Sequence, residues 1–142
     1  MKTRKRRFRP KRRGRPISPL FWSSLIFTTN MVHAFFAQLY LYSFCFACLT
    51  ITSLVVHTEY NIYTDVLDKI AIASIVTYGA YRMYLSYTNT LRTWAIIIAC
   101  VLTFLASVGI YVYQRYITEH NPAHHSAAHY ICSLGHHLII LL

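Results

Sequence analysis

From Leu20 to Val56 the chain reads LFWSSLIFTTNMVHAFFAQLYLYSFCFACLTITSLVV, 37 consecutive positions without Lys, Arg, Asp or Glu. A membrane-crossing helix needs about 20 predominantly apolar residues at 1.5 Å per residue. The run is therefore too long for one straight crossing and short for two crossings with a turn between them. Residues 20–31, which carry Phe21 and Trp22, read as an interfacial approach, because aromatic side chains suit the headgroup boundary. A first transmembrane helix follows near 33–57.

Upstream lies a tail of opposite character. Ten of the 14 basic residues of this 142-residue chain fall in its first 15 positions (Lys2, Arg4, Lys5, Arg6, Arg7, Arg9, Lys11, Arg12, Arg13, Arg15). Pro10, Pro16 and Pro19 punctuate the segment. Residues 1–19 read as a disordered cytosolic tail suited to anionic lipid headgroups. The other four basic residues match the four acidic ones, so the formal net charge of +10 belongs to the tail alone. This excludes reading the basicity as a folded nucleic-acid-binding domain, and no specific nucleic-acid partner is expected.

Downstream, spans are predicted near 68–86, 93–114 and 125–142, joined by polar segments at 57–67, 86–92 and 114–124. Residues 20–142 thus form one transmembrane domain. The predicted fold is all-α, a polytopic helical bundle of about four spans, five at the limit. Cys45, Cys48, Cys100 and Cys132 all lie in apolar runs and read as small packing residues. The positive-inside rule keeps the N-terminus cytosolic and puts the 57–67 and 114–124 loops on the lumenal or external side. A further span over 20–31 would reverse the side of every motif.

All four carboxylates (Glu59, Asp65, Asp68, Glu119) and five of eight histidines (His57, His120, His124, His125, His129) fall on that one side. Ionisable groups at membrane depth are costly and mark functional sites. His125 and His129 stand four apart, so their imidazoles project from one helix face and can share a metal. Ser53 and His57 have the same spacing. His57 would supply a third nitrogen and leave a position open, the arrangement of a catalytic zinc site. Asp68 would act as base or orient the attacking water, and Ser53 would hydrogen-bond a ligand or substrate oxygen.

Each motif also has a plain structural reading. A pair of histidines four apart is a weak signal in a chain with eight, and His136 and His137 show how freely the residue is used. A serine near a helix end back-bonds to its own turn, and an Asp at a helix start serves the dipole. On spacing alone the two readings are evenly matched. The convergence of three clusters on one side favours the metal.

The pattern Ser53-x3-His57, then Leu67-Asp68-Lys69-Ile70-Ala71-Ile72, then His125-Ser126-Ala127-Ala128-His129 with Gly135 beyond resembles the CREST superfamily. That group includes alkaline ceramidases, progestin and adiponectin receptors, and hemolysin III-type proteins. The resemblance covers roughly residues 45–142. It implies zinc held by His57, His125 and His129, with Asp68 and Ser53 completing the site, and hydrolysis of a lipid amide or ester. The family has seven spans, so this chain resembles a shortened member. Losing an even number of spans keeps the motifs on one side, while fewer helices wall off an acyl-chain pocket.

The leading expectation is accordingly a membrane-embedded zinc-dependent hydrolase acting on a membrane lipid, which could also form homo-oligomers. The alternatives are a non-catalytic receptor-like or membrane-remodelling protein on the same scaffold, and a small structural membrane protein with incidental histidines.

Overall fold

The uncharged run folds back on itself. In the computed structural model, which describes residues 19–116 and 122–142, it forms α1 (Pro19–Ser24), α2 (Phe27–Phe36) and most of α3 (Tyr40–Thr58). The turn between α2 and α3 is made without glycine. Gln38 adopts φ 61°, the left-handed region. Its N–H donates to Phe35 O at 3.0 Å and that of Leu39 to Ala34 O at 2.9 Å. This is the Schellman pattern of a helix C-terminus. A non-glycine residue there bears roughly 1–2 kcal/mol of steric strain.

Three further helices follow: α4 (Ile62–Leu85), α5 (Leu91–Tyr116) and α6 (Pro122–Ile140). Asn61 caps α4 reciprocally with Thr64: its side chain accepts from the N–H groups of Tyr63 and Thr64, and its own N–H donates to Thr64 Oγ1. Capping moves the helix start six residues ahead of the predicted 68, and the 57–67 loop shrinks to Glu59–Asn61. Pro122 opens α6, where a missing N–H costs nothing. The described residues are all helix and connection, with no strand. All four cysteines are free thiols.

Pairwise contacts fix the direction of each helix. Ser24 meets Ser53 and Ser43 meets Met31, so α1–α2 runs antiparallel to α3. Ser23 meets His129, Asn30 meets Ser133 and His33 meets His137, so α1–α2 runs parallel to α6. Thr52 meets Asp68 across the α3–α4 hairpin. Helix α5 packs chiefly on α6, where Cys100 Sγ lies 3.6 Å from Gly135 O.

The N-terminal reading is corrected here. Residues 20–31 do not lie apart as an interfacial approach, and no single helix covers 33–57. Residues 19–36 are instead an antiparallel partner of α3, inserted beside α6. The αL turn at Gln38, hidden in an unbroken apolar run, is the physical reason. The predicted disordered tail, Glu119 and His120 lie outside the described residues.

The interior is unusually polar. Phe27, Ala34, Tyr42, Phe46, Leu49, Ile75 and Ile139 are buried, but so are Ser23, Ser24, Asn30, Ser53, Ser133 and His136. The outside is apolar: on α5, Leu102 is 60% exposed and Leu105 58%. Two helices, Tyr40–Thr58 and Leu91–Gln114, are long and apolar enough to cross a membrane.

Candidate metal centre

The end of α3, the start of α1 and the start of α6 meet at one end of the molecule. There one ring nitrogen each from His57, His125 and His129 lies within 4.8 Å of the others. The ring centroids are 5.4 Å apart for His57–His125, 5.7 Å for His57–His129 and 4.9 Å for His125–His129. The pair four apart on α6 supplies two nitrogens from one face, as their spacing requires. His57 supplies the third from the last turn of α3. Each imidazole is half-buried.

Hydrogen bonding orients His129. Ser23 Oγ donates its single proton to Leu20 O at 3.1 Å. It also lies 2.9 Å from His129 Nδ1. With the hydroxyl proton on Leu20 O, Ser23 accepts from His129 Nδ1–H, the arrangement that leaves the His129 lone pair on Nε2. An outer partner that fixes the tautomer of a ligating imidazole is a recurrent feature of metal sites. Phe27 packs against the same ring, with centroids 5.4 Å apart. Three clustered imidazoles, each able to offer one ring nitrogen, make a donor set that could hold a metal ion.

Ser53 and Asp68 have other partners. Ser24 donates to Leu20 O at 2.8 Å, so the proton of the 2.9 Å Ser24–Ser53 bond comes from Ser53. With 3% exposure and its hydroxyl turned to α1, Ser53 ties the N-terminal helix to α3. Asp68 sits in the second turn of α4, where its Oδ1 accepts from Thr52 Oγ1 at 3.2 Å. It is not one of the three converging donors. The structure therefore gathers the three histidines and leaves the other two site candidates on the flanking faces of α3.

Sequence reasoning missed Ser23 and Ser24, because α1 was placed outside the bundle. It also missed Ser126, whose Oγ is buried without a hydrogen-bond partner among the described residues. Ser126 follows His125 directly and lines a shallow groove with Pro19, Trp22, Ala123, Ala127 and Tyr130. A serine between two candidate ligands was the available signal. His124 is exposed against Tyr113, away from the centre.

Ser23→Ala is expected to leave the fold intact and weaken metal binding by roughly 10- to 100-fold, the usual effect of losing an orienting partner. Ser23→Thr, which keeps the hydroxyl, should bind like wild type. Competition with a chromogenic chelator measures both.

Comparison with protein-family models, with curated proteins and with solved structures gave no match.

Proposed function

We propose that the chain is a multi-pass membrane protein that holds zinc at His57, His125 and His129 and hydrolyses a lipid amide or ester. The observation that carries this reading is the convergence of three imidazoles from two helices, with Ser23 hydrogen-bonded to His129. Apolar exposure outside and polar burial inside support the bilayer as solvent. The resemblance to the CREST superfamily supplies the reaction class.

Held by His57, His125 and His129, zinc would supply Lewis acidity at the site. The chain's own residues do the rest. Asp68, whose Oδ1 accepts from Thr52 Oγ1, would take a proton from the attacking water and return it to the leaving group. Ser53 and Ser24 hold α1 against α3, so that Ser23 reaches His129. The groove past Ser126 opens sideways between α1 and α6, a route for an acyl chain from the bilayer. That lateral opening replaces the enclosed pocket of a larger bundle.

Residues 19–36 count as a crossing in this reading. These eighteen positions, sixteen of them in α1 and α2, reach at most about 27 Å, close to the hydrocarbon thickness of roughly 30 Å. Five crossings result, with spans at 19–36, 40–58, 62–85, 91–116 and 122–140. The basic tail joins the molecule at Pro19, the end that carries the histidines. The positive-inside rule then puts the site on the cytosolic side, reversing the lumenal or external expectation. The tail's affinity for anionic headgroups would hold that same face at the membrane surface.

Metal analysis of purified protein tests the reading. Wild type should retain one tightly bound zinc that a His125→Ala/His129→Ala variant loses, with lipid hydrolysis lost alongside. Zinc retained by the double variant ends it. Tight zinc without turnover on acyl amides or esters favours the receptor-like alternative.

A further inference from the structure

At the opposite end of α6, about 12 Å along the helix from His129, a second group of ring nitrogens meets. His33 on α2 and His137 on α6 approach with their Nδ1 atoms 2.9 Å apart and ring centroids 5.1 Å apart. Thr29, one turn before His33, lies with Oγ1 2.9 Å from His137 Nε2. The two histidines are half-buried rather than sealed in the core.

One proton arrangement satisfies every contact. With its hydroxyl proton on Ile26 O at 2.7 Å, Thr29 accepts from His137 Nε2–H. His137 Nδ1 then offers a lone pair to His33 Nδ1–H, and a metal ion would take the place of that one proton. This repeats at the far end what Ser23 does for His129: a back-bonded helix hydroxyl fixes an imidazole on α6 and turns its other nitrogen toward a second imidazole. Two nitrogens on one tetrahedral zinc stand about 3.3 Å apart, given bonds of 2.0–2.1 Å. The observed separation is within a few tenths of an ångström of that.

We propose that His33 and His137, with Thr29 as the orienting partner of His137, form a second metal site, for a borderline divalent ion of the zinc, copper or nickel type. Imidazole nitrogen suits those ions. Two protein ligands leave the remaining positions to water, so this site binds more weakly than the three-histidine centre and exchanges its ion readily. It clamps α2 to α6 at the end away from the three-histidine centre. The first site is not required for it.

Zinc titration of the purified chain by calorimetry, after removal of bound metal, separates the two sites. Wild type should take up two equivalents, one tight and one weaker by at least tenfold. His33→Gln/His137→Gln should lose the weak equivalent and keep the tight one. His125→Ala/His129→Ala should do the reverse, so failure of one site is visible without failure of the other. Thr29→Val should weaken the second equivalent about 10- to 100-fold without abolishing it. A His33→Gln/His137→Gln protein that still binds the weak equivalent, or a wild type with no weak equivalent, overturns the proposal. The pair is then a hydrogen-bonded contact only. Circular dichroism of each variant checks that its helix content is unchanged.

Discussion

Gly135→Ala is expected to loosen α5 from α6 and destabilise the fold by about 1–3 kcal/mol, the usual range for overpacking a tight contact. A Cβ at position 135 would stand 2.3 Å from Thr103 Oγ1 and 3.2 Å from Thr103 Cβ. The first distance is far inside van der Waals contact, so one helix must move. Thr103 cannot simply rotate away at no cost, because its hydroxyl donates to Cys100 O at 2.8 Å. Helix α5 has little else to hold it: its principal neighbour is α6, and its remaining faces are apolar and exposed. Small residues where helices approach closely are the main packing device inside bilayers. Thermal unfolding in detergent, followed by helical circular dichroism, should show a clear fall in midpoint. Thr103→Ala removes the atom that clashes, so Thr103→Ala/Gly135→Ala should recover most of the loss. Additive losses in the two single variants and the double would show that the contact is not the cause. Gly109, with open space around it, provides the control, because Gly109→Ala meets nothing.

The sequence made some of this legible and concealed the rest for identifiable reasons. The pair His125 and His129 was readable because helical spacing puts positions four apart on one face, whatever surrounds them. His57 was a weaker inference from its place at the end of an apolar run, and the structure brings its ring to the other two. The all-helical character followed from the scarcity of charge. What could not be read was the turn at Gln38. A left-handed C′ position is ordinarily marked by Gly or Asn, and here Gln occupies it within an uncharged stretch. Missing that turn displaced α1 from the bundle, and with it Ser23 and Ser24. His136 and His137 looked like surplus histidines, and His33 drew no reading, for the same reason. Tyr42 OH lies 2.5 Å from His136 Nδ1 in the core, a pairing that needs the α3–α6 register. That register is tertiary information, which local spacing does not contain.

Asp68→Asn is the substitution that most directly separates a hydrolase from a receptor on this scaffold. The amide has the shape of the carboxylate, and its Oδ1 can still accept from Thr52 Oγ1, a side-chain hydrogen bond that joins α4 to α3. The fold and the three-histidine centre should therefore survive, and zinc content should match wild type. What the amide lacks is the ability to take a proton. If Asp68 is the base, turnover on long-chain acyl amides or esters in mixed micelles should fall by roughly 10²- to 10⁴-fold, the usual contribution of a positioned general base. The loss should appear in kcat, since substrate binding does not use the proton. Thr52→Val should reduce turnover by much less, because it removes a partner that orients the carboxylate and leaves the carboxylate in place. Full turnover in Asp68→Asn would remove Asp68 from the chemistry and pass the role of base to another group near the three histidines. No turnover in wild type, with zinc bound, would leave the carboxylate a structural role: a half-buried acceptor that keeps α4 in register with α3 in a protein whose metal is non-catalytic.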